Sequence, residues 1–519
     1  MCTMCIRILV GKQRRDGVLR RVSPMPEKKS FLSRFRRKPA DERATEKPAS
    51  LTPANDNPWY CLATIHGEQP VDQLDHELAR KNCQVWNRWI GGGLNNEGGE
   101  RTEFERNFAN RTSHRLPNDP TAIVDFSNVH FDRPVNFLGF SFSRPADFSR
   151  ARFSGETNFA EAQFNTKADF NSVTFSGETN FSRAQFPTSK ADFSGAKFSD
   201  TANFRAAQFH SGDVDFQSTT FSGKVDFEST LIANVNFRSA RFSDCATFKS
   251  ASFRGTANFH SVIFSSGVDF SGTAEFHRIA DFGSVTFTKM ANFVSAKFLD
   301  AVDFNRATFA SSVDFVNATF ARSAIFASAH FDGWVPDFRG AKMHPATEWH
   351  DATWPKPPST EAHARQQVYA YERLKQEMEQ LKKHEDEQTF FRRELRARRR
   401  LLWVLPGEWL LNVIYSWASD YGNSFLRPFI WLLVVFAAGT AAFARAPIHC
   451  GAPMPIRLAI KLSFANIFVF LPDKREIMTP EMTACLSDTT RAISALQSVS
   501  GVVLLFLLGL ALRNRFRMK

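Results

Sequence analysis

Residues 146–156 read ADFSRARFSGE and residues 291–301 read ANFVSAKFLDA. Both are single units of a pattern that starts at Phe126 and runs Phe131, Phe137, Phe142, Phe148, Phe153. The spacing alternates between five and six, which gives a period of 11 residues. Between Phe126 and Phe338 the rhythm defines 39 slots; Phe fills 38 and Ile232 fills the other. Repetition at a fixed short period is the mark of a solenoid. The slips are few. Phe186 to Phe193, Phe209 to Phe216 and Phe331 to Phe338 are steps of seven, Ile232 to Phe237 is five, and Phe270, Phe276, Phe282 is a double six. Such insertions are expected to be absorbed as bulges at corners. Beyond Phe338 the beat continues through Met343, Trp349 and Trp354 before PKPP, so these larger residues are expected to close the end of the core.

A small residue stands two before many of the Phe, as Ala146 before Phe148, and Asp or Asn commonly stands one before. A step that returns a large and a small apolar side chain every five or six residues matches neither a helix of period 3.6 nor a long strand of period two. It fits short extended faces joined by tight turns, with Phe and Ala inward. Asp, Asn, Ser and Gly supply the turn chemistry. Asp and Asn before Phe are read as partners of turn N–H groups rather than calcium ligands; the Gly- and Asp-rich calcium-binding nonapeptide is absent.

The pattern resembles the pentapeptide-repeat family, whose unit is A(D/N)F followed by two variable residues. The resemblance covers residues 121–357 and implies a mainly β fold, a right-handed quadrilateral β-helix with coils of about 22 residues. About ten coils at ~4.8 Å give a rod on the order of 50 Å long. Phe126, Phe148, Phe170, Phe204, Phe248, Phe293 and Phe315 represent the core ladder, each expected to stack on the Phe one coil above. Some members imitate DNA and bind gyrase, which calls for a strongly acidic rod. Residues 121–357 hold 24 Asp plus Glu and 22 Lys plus Arg, a net of −2, so the DNA-mimic reading is a minor alternative and a stalk or docking surface is preferred.

The 519 residues hold 54 Phe against 5 Tyr and 10 Trp, and the ladder accounts for the excess. Charged residues are 23% of the chain, which excludes a wholly disordered protein. Seven scattered Cys exclude a disulfide-rich scaffold. With the rod at −2 and the chain at +12, the other segments carry +14. That moves the expected partner from nucleic acid to lipid.

Residues 1–58 read as a basic disordered tail with the run FLSRFRRKP (31–39). The pair Cys2 and Cys5 lacks a second pair and is weak evidence for metal. Residues 59–120 read as a helical capping region and linker. In it, 71–90 form an amphipathic helix with Leu74, Leu78, Val85, Trp86 and Trp89 near one face, ended by GGGLNNEGG (91–99). That helix is expected to cover the N-terminal β edge.

Residues 358–400 read as an amphipathic helical connector, with Tyr371, Leu374, Met378 and Leu381 at heptad spacing, and with a seam that fails at Glu385 and Gln388. It is expected to pack on the solenoid's end or on its copy in an oligomer. Residues 401–423 carry Trp403, Trp409, Tyr415, Trp417 and Tyr421 beside the basic run RRELRARRR, which suits a helix at a membrane–water boundary. In 424–519, segments 428–444 and 492–512 have 17 and 21 residues without charge, close to the ~20 that span a bilayer. Arg396, Arg398, Arg399 and Arg400 before the first and RNRFRMK after the second place both termini and the solenoid in the cytoplasm, at the inner (plasma) membrane. Segment 458–471 is too short to span and suits a re-entrant helix.

Span, re-entrant helix, span resembles the pore module of two-span potassium channels, and the ending LLGLALRNRFR resembles bacterial proteins that join pentapeptide repeats to such a hairpin. The filter glycine is missing after the short helix, so potassium selectivity is not implied. Ser463, Asn466 and Gln497 are the polar candidates for a pore lining, and Cys450 and Cys485 could pair or stay free in the loop outside. No catalytic grouping and no cofactor motif stands out, and the 13 His are scattered. The expectation is a non-enzymatic, membrane-anchored scaffold without cofactor, homo-oligomeric, with an unidentified protein partner. An oligomeric ion channel is the first alternative.

Overall fold

A two-residue strand recurs wherever an Ala-Asp, Thr-Asn or Arg-Phe pair stands in the repeat, and each pairs in parallel with its equivalent one coil on. Thr157 and Asn158 face Thr179 and Asn180, so one coil is 22 residues, as expected. The computed structural model describes residues 50–71, 74–92, 100–117, 119, 122–187, 190–445, 454–470 and 486–517. Its centre is a parallel β-solenoid of about nine turns, followed by helices. Strands form stacks of 11, 17 and 9. The largest covers two faces, because strands Gln208–Asp215 and Leu231–Asn236 run through a corner and join them.

The core is four columns of rings. One runs Phe126, Phe148, Phe170, Phe193 and onward to Trp349, with neighbouring centroids 4.6–5.1 Å apart and planes nearly parallel. Phe204, Phe248, Phe293 and Phe315 belong to the column that begins at Phe137. Between columns the rings meet edge to face, as Phe282 and Phe293 do at 90°. Offset stacks and edge contacts both suit the ring quadrupole. All these rings are buried. At ~1.5–3 kcal/mol for each, as an upper bound, their burial is the main stabilising term.

Corners alternate in type. After Phe126, Phe148, Phe170 and their equivalents the chain makes a tight turn whose third residue is left-handed: Asn128, Arg150, Ser172. Asp147 Oδ1 accepts from Ser149 N at 2.8 Å, and Asn158 Oδ1 from Ala160 N at 2.9 Å. The expected turn role of these side chains is therefore what they do. The six-residue steps take the other corners. At Gly177 an added Cβ would lie 2.8 Å from the Gly155 carbonyl carbon one coil below, so the backbones can close only without one.

Both ends are covered. Strand Thr52–Pro53 pairs with Val129–His130 and extends one face. Helices α1 (Pro58–Ala63), α2 (His76–Ile90) and α3 (Glu100–Arg111) come next in the chain. Helix α2 lies on the first coil: Trp86 Nε1 donates to Ser141 O at 2.8 Å, while the Asn87 amide donates to Gly139 O and accepts from Ser141 N. The sequence pattern predicts one helix here and three are found; α3 buries Phe104 and Phe108, with Phe104 stacked on Trp89. At the far end the last coil pairs only through single bridges such as Ile325↔Glu348 and His330↔Thr353, an atypical final repeat.

Candidate functional site

Two features distinguish the C-terminal third: a packed joint to the solenoid and an apolar surface left uncovered. The joint begins with the predicted end residues. Trp349 stacks on Phe326 at 4.6 Å and Trp354 lies over Phe331 at 5.0 Å; Met343 joins the same core. Over them folds a helical hairpin, α4 (Glu361–Gln380) and α5 (His384–Arg398). Phe390 sets its ring edge against both indoles, and Tyr371, Leu374 and Met378 are buried. The single connector helix is thus corrected to two. The chain reverses at Lys382, which is left-handed, and Lys383 Nζ donates to Thr347 O. The heptad seam ends at Glu385 because the helix has already ended. The hairpin encloses charge: Glu394, almost fully buried, meets Lys375 at 2.6 Å and Arg398 at 2.7 Å. Burial pushes the Tyr371 phenol up to about 12 and holds the neighbouring Arg393 below its ordinary value.

The hairpin is clamped to the helices beyond it. Helix α6 (Pro406–Ser419) ends at Asp420, left-handed at φ 48°, whose carboxylate takes Arg392 at 3.0 Å and Arg396 at 2.8 Å. Arg399 donates to Tyr421 Oη, which donates to Asn412 Oδ1. Helix α7 (Leu426–Arg445) packs on α8 (Ile456–Ile467) and on α9 (Asp488–Arg517). At the end of α9, Asn514 Nδ2 donates to Gly422 O at 3.0 Å, and Arg517 lies 3.6 Å from Glu387. The start of α7 and the end of α9 therefore meet beside the hairpin. The arginine run expected to face lipid is used in part for protein contacts.

The three polar candidates from the sequence converge. Gln497 Nε2 donates to Ser463 Oγ at 2.6 Å and to Val435 O at 3.2 Å; Asn466 Nδ2 donates to Gln497 Oε1 at 3.1 Å. Ser494 Oγ completes the group on Asn466 Oδ1, and Ser463 Oγ donates to Phe436 O. All three are buried among α7, α8 and α9. Within one chain they pin the three helices together. Small residues permit this: a Cβ at Gly439 would meet the Gln497 amide, and one at Gly501 would lie 2.7 Å from Ile467 Cα. The expected re-entrant segment is α8, in part; residues 471–485 lie outside the described ones. So do Cys450, Cys485, Cys2 and Cys5.

Helices α7 and α9 are long and apolar enough to cross a membrane, by length and composition. Only 22% and 28% of their most apolar windows are buried. Phe429, Leu433, Leu496, Val502 and Phe506 point outward, as do Trp403, Leu411 and Trp417 along and just before α6. Among the described residues no group of three His, Cys, Asp or Glu could hold a metal ion.

Compared with known proteins, segments within residues 137–342 match the family model described as pentapeptide repeats (nine copies). No curated protein and no solved structure matches the chain. The ladder, the 22-residue coil and this match agree: the β-solenoid of this chain is built of pentapeptide repeats.

Proposed function

We propose that this chain is a membrane-anchored scaffold without enzymatic activity. Its C-terminal helices hold a pentapeptide-repeat rod at the cytoplasmic face of the inner membrane, where the rod docks a protein partner. The observation that carries the reading is the outward apolar surface of α6, α7 and α9. An exposed apolar area of this extent is stable only against lipid or protein. Trp403 and Trp417 sit where the hairpin meets the spans, the place aromatic residues take at a bilayer interface. Because Asn514 reaches Gly422, both ends of the two-helix unit lie on the solenoid's side. The basic excess of those flanks makes that side the cytoplasm.

Ion conduction by an oligomer is the alternative. It would require Ser463, Asn466 and Gln497 to leave the partners they have within the chain. Reporter fusions at Lys519 and near Asp473 test the reading: the first should report cytoplasm and the second the far side. A far-side Lys519 would overturn it. Steady single-channel currents from a purified tetramer would replace the anchor with the channel.

A further inference from the structure

Three helix ends come together beside the hairpin: the end of α6, the start of α7 and the end of α9. Asn514 Nδ2 donates to Gly422 O, which sets the last turn of α9 at the level of the loop between α6 and α7. Around that contact stand Arg427, Arg513 and Arg515, all exposed. Arg427 Nη1 donates to Ser416 O at 3.1 Å, across the loop. Arg515 holds its guanidinium carbon 5.0 Å from the centroid of the Phe425 ring. Arg513 lies within electrostatic reach of the Tyr415 phenol. Each arginine is thus tied to the segment 415–425, and the three form one patch.

The carboxylates close by are already engaged. Asp420 takes Arg392 and Arg396, and Glu387 takes Arg517 together with His384. Glu408, the other acid of α6, lies eight residues before Ser416, about 12 Å along the axis. Among the described residues Arg427, Arg513 and Arg515 form no ion pair. The groups they touch, a backbone carbonyl and aromatic rings, do not neutralise their charge. Guanidinium presents five donors in one plane and meets phosphate through two parallel bonds.

The patch also has a depth. The apolar run of α9 ends at Leu512 and that of α7 begins at Pro428, so the arginines stand at the ends of the lipid-length segments. Trp417 and Trp431 meet beside Arg427 with ring centroids 3.9 Å apart. Indoles take this level at a bilayer, where hydrocarbon gives way to headgroups. We propose that Arg427, Arg513 and Arg515 bind the phosphate of a phospholipid whose headgroup carries net negative charge, in the leaflet on the solenoid's side. The proposal rests on the membrane reading of α7 and α9. A zwitterionic headgroup brings its own cation and leaves the three arginines uncompensated. An anionic headgroup compensates them, with a preference of about fivefold for each basic residue at the surface.

Quenching of tryptophan by brominated lipid, in vesicles holding the full chain, tests this. The vesicles are phosphatidylcholine with a minor fraction of lipid brominated in its acyl chains, either phosphatidylglycerol or phosphatidylcholine. Trp417 and Trp431 report the lipid at the patch. Brominated phosphatidylglycerol should quench at a mole fraction at least about fivefold lower, and the preference should fade in ~1 M salt, where the screening length is ~3 Å. The triple variant Arg427→Gln, Arg513→Gln, Arg515→Gln should lose the preference and keep its quenching by phosphatidylcholine. Arg183→Gln, on the rod, should leave both unchanged. Equal quenching by the two lipids in the parent chain, or an unchanged preference in the triple variant, would overturn the proposal and leave the anchor standing. Absence of quenching by either lipid would overturn the anchor as well.

Discussion

The solenoid and the C-terminal helices dispose of apolar surface in opposite ways. In the solenoid most Phe lie between two other rings of their column, and few large apolar side chains are left outside. In the helices many apolar residues point away from the protein, and α7, α8 and α9 are held together by polar and small contacts beside two small apolar groups, Leu432 with Ile467 and Leu504, and Phe443 with Leu462. On the proposed reading the difference is one of solvent. A rod in water must bury its rings within itself, whereas helices in hydrocarbon gain nothing from burying Leu on Leu and associate through close packing and hydrogen bonds.

The largest test of this contrast compares Phe227 with Val502. Phe227 has Phe204 at 4.8 Å on one side and Phe248 at 5.0 Å on the other. Phe227→Ala should cost about 3–5 kcal/mol in denaturant unfolding. Val502, outward on α9, should cost less than ~0.5 kcal/mol when changed to Ala. Equal effects would erase the distinction.

The joint between the regions gives the next effect. Tyr371 is neutral and buried, with its folded pKa raised to about 12 from 10.0. Such a group contributes stability that is fully present below pH 10 and is lost as pH rises toward 12. The loss should be on the order of 2 kcal/mol. Unfolding measured across that window should show it in the parent chain and a smaller loss in Tyr371→Phe.

A change smaller than those at Phe227 and Tyr371 is expected in the polar group. Gln497→Leu removes the partner of Asn466 Nδ2 and Ser463 Oγ. About 0.5–2 kcal/mol of thermal stability in detergent should go with it. A gain in stability would show that the group is kept for something other than holding the helices.

The rod was legible because its physics repeats. One unit, read once, predicts most Phe positions and the turn role of Asp147 and its equivalents, and the continued beat predicts the closure by Met343, Trp349 and Trp354. What the sequence concealed is structure that occurs once. Nothing periodic announces α3, whose Phe104 and Phe108 are buried by neighbours distant in sequence. The reversal at Lys382 breaks a run of good helix formers, and only the tertiary seat of Phe390 between the two end tryptophans accounts for it. Asp420 shows no local sign that it receives two arginines. Those arginines read as lipid contacts because a basic run beside aromatic residues has that meaning in isolation. Ser463, Asn466 and Gln497 were visible as polar residues in apolar segments; their convergence required the helix packing.

If the apolar face of the C-terminal helices meets lipid, the chain is an integral membrane protein. The direct measurement is fractionation of the full chain after a carbonate wash. The protein should stay with the membrane pellet, and recovery in the soluble fraction would rule out the lipid-facing role of α7 and α9.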